Sequence, residues 1–164
     1  MRKIKGNVSD PTSIDKAVKG LRDYQRWVDS LSAEMAKYLA DLGATKARAN
    51  FGTVIYDGRN DVEVTVEPAE RGFKVLAKGE TVLFLEFGAG IKFGYGHPMA
   101  QQLGFGPGTY NPSSGNWQNP NGWVFKDDSG KYIHTYGNKP AQGMYDAMTE
   151  VLSADIKEIF EKCK

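Results

Sequence analysis

Cysteine is all but missing from this sequence. Among 164 residues only Cys163 carries a thiol, and histidine occurs twice, at His97 and His134. One cysteine cannot close an internal disulfide, and two scattered histidines with a remote thiol do not make the three ligands a catalytic zinc needs. The chain is compatible with a reducing compartment. An excess of charge is missing too, with 21 Lys and Arg against 20 Asp and Glu. Proteins that wrap duplex DNA usually carry a basic surplus, so a net charge of +1 argues against that role. Nor does any apolar run reach the roughly 18 residues of a membrane helix. The basic start, Met1 to Lys5, leads into Gly6-Asn7-Val8-Ser9-Asp10-Pro11, where a signal peptide would need an apolar stretch. Folding in the cytoplasm is therefore expected.

Glycine is the residue in surplus. Nine of the 19 glycines lie between Gly88 and Gly122, together with Pro98, Pro107, Pro112 and Pro120. The stretch Gly88-Ala89-Gly90-Ile91-Lys92-Phe93-Gly94 superficially suggests phosphate binding, but no GK[ST] follows and no helix is readable after it. Nucleotide binding is set aside on those grounds.

A length of 164 residues fits a single domain, 1–164, large enough to bury a core without a staple. Apolar residues recur every three or four positions at Ile14, Val18, Leu21, Tyr24, Val28, Leu31, Met35, Leu39 and Leu42. That spacing predicts a helix over 12–42, capped by Thr12 or Ser13 and ended by Gly43, with this stripe buried. A short helical turn, Ala44 to Asn50, should follow. The period then falls to two. Strands are expected at 53–56, 62–67, 73–78 and 81–87, a β-meander over 53–87 with its last, nearly all-apolar strand in the centre. From 88 to 121 neither period is sustained, and loops this long are usually functional or disordered. This one holds Phe93, Tyr95, Phe105, Tyr110 and Trp117, too aromatic for a disordered linker. A hairpin over 122–135 and a helix over 140–163, opened by Pro140, complete the order. The fold class is thus α+β: an antiparallel sheet of a four-strand meander plus a C-terminal hairpin, packed on long N- and C-terminal helices.

Each chemical candidate has a plainer reading. Glu86 is the one carboxylate in the most apolar segment and could act as a general acid, but a glycosidase would want a second carboxylate, and Asp127 and Asp128 sit in a turn. The plainer reading has Glu86 pairing with a lysine or capping the amides of Gly88 and Ala89. His134 reads as a hydrogen-bonded structural histidine. The loop aromatics, with Gln118, Asn119 and Asn121, permit self-packing, a protein interface or a sugar site. Lys16, Lys19, Arg22 and Arg26 are interleaved with Asp23 and Asp29, which suits a solvated or intersubunit face better than nucleic acid.

Taken together, the order of segments resembles the tail-completion or neck family of long-tailed bacteriophages. Four features carry this: the N-terminal helix with small residues at Ala44–Asn50; Glu86-Phe87-Gly88-Ala89-Gly90, similar to the family's E-[FY]-G-[TS]-G; the irregular loop leading to Gly122-Trp123-Val124-Phe125 and Lys131-Tyr132-Ile133-His134-Thr135; and Gly137-Asn138-Lys139-Pro140-Ala141-Gln142-Gly143-Met144-Tyr145, similar to G-x-P-A-x-P-[FM]-[ML]-Y. Ala89 and Gly143 depart from the pattern, where a small hydroxyl residue and a proline are common. The resemblance covers about Ile14 to Phe160. It implies a structural virion protein of the neck, made in the host cytoplasm, with no catalytic residue, cofactor or metal. It implies a homo-oligomeric ring, six-fold, with head-completion or connector proteins and tail terminator or tail tube proteins as partners. DNA would pass through such a ring without sequence-specific contact, and no membrane is involved. Phe93, Tyr95, Phe105, Tyr110 and Trp117 of the loop, then Arg22 and Arg26 of the first helix, are the interface candidates. The alternative is a carbohydrate- or cell-wall-binding module built on Trp117 to Trp123.

Overall fold

In the computed structural model, residues 7, 9–56, 58–90, 92–93, 96–104, 119–127, 129–154 and 156–163 are described. The first helix, α1, runs Pro11–Gly52, ten residues past its expected end. Asp10, rather than Thr12 or Ser13, starts it. Its carboxylate accepts the Thr12 N–H at 3.0 Å and the Thr12 hydroxyl at 2.8 Å, and Pro11 takes the first turn, where a missing N–H costs nothing. Gly43 does not stop the helix because it is buried as a contact point. A β-carbon there would stand 2.7 Å from the Met148 terminal methyl. Its close packing offsets the helix propensity it gives up, about 1 kcal/mol relative to Ala.

The backbone groups into two compact units, Met1–Leu39 with Asp155–Lys164, and Ala40–Ala154. The second unit holds the main core: Ala44, Ala47 and Phe51 of α1 with Val64, Leu85 and Ala147. Alanines at 44 and 47 have no exposed surface, which lets other elements approach the helix backbone closely. The α1 end is tied down by Asn60, whose amide donates to the carbonyls of Phe51 at 2.7 Å and Val54 at 2.9 Å. Arg48 donates twice to the Val64 carbonyl, at 3.0 and 2.7 Å, and so fixes the first strand against the helix.

The fold is α+β with two small sheets. Strands β1 (Glu63–Ala69) and β2 (Gly72–Lys78) pair antiparallel, from Glu63 opposite Lys78 to Ala69 opposite Gly72. Strands β3 (Trp123–Lys126) and β4 (Tyr132–Thr135) form the expected hairpin, with Trp123 opposite Thr135. The four-strand meander is not formed. Thr53–Tyr56 contributes only an isolated bridge between Tyr56 and Arg59. The expected fourth strand is a short helix, α2 (Val82–Phe87). A brief, nearly all-apolar run fits a buried helix as well as a central strand. Here Asp61 decides: its carboxylate accepts the N–H groups of Glu80 at 2.5 Å and Thr81 at 3.0 Å, and the Thr81 hydroxyl, so the chain enters α2 with donors already held. Those bonds draw the Asp61 carboxyl down to about 2, the Thr81 hydroxyl contributing most.

The last predicted helix is two helices, α3 (Gly143–Leu152) and α4 (Ile156–Lys162). Ser153 interrupts them; its hydroxyl and N–H both turn back to the Thr149 carbonyl, at 2.7 and 3.1 Å. Helix α3 belongs to the second unit and α4 to the first. The expected stripe of α1 is only partly covered. Ile14, Val18, Leu21, Tyr24 and Val28 remain exposed, as does Trp27, while burial deepens from Ala40 onward.

Candidate functional site

Two of the four segments behind the family resemblance meet in the second unit. Gly88-Ala89-Gly90 runs alongside Tyr136-Gly137-Asn138, where Ala89 and Asn138 exchange both backbone hydrogen bonds, at 2.9 and 3.0 Å. The approach is so close at Gly137 (φ +93°) that a β-carbon would fall 1.8 Å from the Ala89 carbonyl oxygen. Only glycine fits. The Asn138 side chain adds a bond to the Phe84 carbonyl at 3.0 Å, and Ala141 N–H donates to Leu85 O at 2.7 Å. The end of α2 and the entry to α3 are therefore one tied unit.

Glu86 is the centre of that tie. It is buried, and its carboxylate accepts the Met144 N–H at 2.8 Å and the Tyr145 N–H at 3.0 Å, the free donors of the first turn of α3. Gln142, in the left-handed conformation at φ 52°, sets the turn that aims those amides. His97 completes the set. Its Nε2 lies 3.1 Å from Glu86 Oε1, and the Met99 N–H donates to its Nδ1 at 3.1 Å. Since Nδ1 accepts, the ring proton sits on Nε2 and donates to Glu86. Phe87 and Tyr145 close around the imidazole, with ring centroids 4.3 and 5.3 Å away. Glu86 is a capping carboxylate, as in its plainer reading, but it caps α3 rather than Gly88 and Ala89. A carboxylate with three donors on it ties α2, α3 and His97 together as a rivet.

Over this rivet lies an apolar groove of about 540 Å³. Val75 and Ala77 of β2, Val82 and Leu83 of α2, Met144, Met148 and Leu152 of α3, and Met99 and Leu103 line it, with Glu86, His97 and Tyr145 also on its wall. Leu83, Leu103 and Leu152 are 36, 55 and 86 % exposed. Three of the chain's five methionines line it, and methionine adapts its shape to whatever is laid against it. Such a surface suits a protein partner better than a small polar ligand.

The candidates chosen from sequence are placed unevenly. Phe93 is half-buried, its N–H bonded to the Gly90 carbonyl at 3.1 Å. Tyr95, Phe105, Tyr110 and Trp117 lie outside the described residues. Arg22 is exposed on α1, and Arg26, also exposed, is paired with Asp23 at 2.5 Å. His134 bonds the Asn121 carbonyl at 2.8 Å, as a structural histidine does. The sequence does not single out the groove residues, because 81–87 reads as a central strand, which hides Leu83. The clustering of methionine in the second half was the available signal.

Among the described residues no three His, Cys, Asp or Glu side chains group as metal ligands, and no helix is long and apolar enough to cross a membrane. No protein-family model matches the chain, and neither does any curated protein or solved structure.

Proposed function

We propose that this chain is a structural virion subunit of the phage neck or tail-completion type. It assembles as a closed ring, six-fold, between the head-completion or connector proteins and the tail terminator or tail tube, and it performs no catalysis. One observation carries the reading: a methionine-lined, solvent-open apolar groove lies directly over the Glu86 rivet that joins two of the resembling segments. A closed ring needs one surface of each subunit seated on a different surface of the next. An apolar groove held in shape by a buried carboxylate is suited to be one of those two surfaces. Of the residues named for the carbohydrate-binding alternative, Trp117 lies outside the described residues and Trp123 is half-buried in β3.

Leu103→Glu tests the groove. Leu103 is 55 % exposed, so the substitution leaves the fold intact by circular dichroism. Light scattering should show a ring-sized wild-type particle and a variant that no longer forms it. A wild-type chain that stays monomeric, together with particles that lack it and still join heads to tails, would overturn the proposal.

A further inference from the structure

The first unit carries a second uncovered surface, on the opposite end of the sequence from the groove. Along α1, Ile14, Val18, Leu21, Tyr24, Trp27 and Val28 are 37 to 57 % exposed. Ile14, Leu21, Val28 and Met35 recur every seven residues, the repeat of a helix that pairs with another helix. Beside that seam runs a second seven-residue row, Asp15, Arg22 and Asp29, alternating in sign. Among the described residues neither Asp15 nor Arg22 forms an ion pair within the chain.

We infer that the α1 segment from Ile14 to Val28 pairs antiparallel with the same segment of a second copy of this chain. Geometry sets the orientation. In a parallel pair the charged row would face Ala17, Tyr24 and Leu31 across the seam; in an antiparallel pair it faces its own copy. Reversed and shifted by one repeat, the row sets Asp15 opposite Arg22 of the second copy and Arg22 opposite its Asp15, with Asp29 beyond the overlap. The same register places Leu21 against Val18 and the large Tyr24 over the small Ala17. Ile14, Val18, Leu21 and Tyr24, all exposed, make the apolar part of this seam, and Trp27 projects from the other side of the helix. The charge pattern also speaks against other occupants. Lys16, Lys19, Arg22 and Arg26 are nearly balanced by Asp15, Asp23 and Asp29, so this helix lacks the basic surplus that an anionic lipid surface or a nucleic acid would call for. The contact is separate from the groove and does not depend on the ring.

The test is a charge exchange in the full chain. Arg22→Asp makes the row all acidic, and Asp15→Arg with Asp29→Arg makes it all basic. Sedimentation of the wild type should show concentration-dependent pairing. Each variant alone should pair at least tenfold more weakly, and an equimolar mixture should recover it as a mixed pair in native mass spectrometry. A wild type with no pairing that depends on this row, or a mixture that does not recover, overturns the inference. Binding to phosphatidylserine vesicles that Leu21→Lys abolishes would assign the stripe to a lipid surface and overturn it as well. Leu103→Glu reports on the groove alone, so a failed ring and a failed helix pair are told apart.

Discussion

The two ends of α1 are one continuous helix with opposite fates. From Ala40 to Ala47 its inward residues are small, Ala40, Gly43, Ala44 and Ala47, and they are buried, with Phe51 buried beyond them. From Ile14 to Val28 its apolar residues are large, and they are exposed. Size predicts the wrong order if burial follows hydrophobicity alone, since Leu21 has far more to gain from leaving water than Ala47. What decides is whether neighbouring elements come close. Small residues let other backbone segments press against the C-terminal end, while the N-terminal end keeps a stripe broad enough to receive another helix. A hydrophobic period therefore locates the face of a helix, and it does not say whether the same chain covers it.

Breaking the buried side should cost most. Glu86→Ala strips the first turn of α3 of its acceptor and leaves His97 Nε2 and two amides unpaired inside the protein. Each stranded buried donor costs about 1–3 kcal/mol, so a loss of roughly 4 kcal/mol in urea unfolding is expected. Glu86→Gln keeps an acceptor oxygen and should recover part of that. A loss under about 1 kcal/mol for the alanine variant would mean that Glu86 does not rivet α2 to α3. Next comes Ala47→Leu. Ala47 has no exposed surface and lies in the cluster of Phe51, Val64 and Leu85, so the added bulk should cost about 2–3 kcal/mol.

Local pattern carried much of the architecture into the sequence. Strand β1 alternates, Val64 and Val66 against Glu63, Thr65 and Glu67, and both the β1–β2 pair and the hairpin at 123–135 are flanked by turn residues, so both were legible. Val82–Phe87 was not, because five apolar residues among six specify burial without specifying period, and the deciding contact comes from Asp61, distant in sequence. Gly43 misled for a related reason: a glycine at a helix end and a glycine at a tight crossing look alike until Met148 is placed beside it. For the candidate site, Glu86 was singled out as the odd carboxylate, but its partners at His97, Met144 and Tyr145 are set by tertiary contacts that no spacing reveals. The groove over it could not be seen either, since it exists only once β2, α2 and α3 are brought together.

Asp61 offers a smaller effect, at a rim position. Its folded carboxyl is drawn from 3.8 to about 2 by the Thr81 hydroxyl and the amides of Glu80 and Thr81. Because the folded value lies below the unfolded one, the stabilisation is fully present above about pH 4 and fades as pH falls through about 2. Carboxyl chemical shifts followed by NMR should give a midpoint near 2 for Asp61, and Asp61→Asn should remove that low-pH dependence and speed amide exchange at Glu80 and Thr81. A midpoint near 4 would mean that the carboxylate does not hold the entry to α2.

The smallest effect on stability is expected at the exposed end of the same helix. Leu21 is 57 % exposed, so Leu21→Lys changes little apolar contact within the chain, and lysine is as good a helix former as leucine. Unfolding of the dilute protein should shift by no more than about 0.5 kcal/mol. The substitution matters only where a second molecule is present: at concentrations that pair the wild type through α1, the variant should lose that pairing and the dependence of its stability on protein concentration that the pairing confers. If Leu21→Lys instead destabilised the dilute chain as strongly as Ala47→Leu, the stripe would be covered from within, and the contrast between the two ends of α1 would collapse into one continuous core.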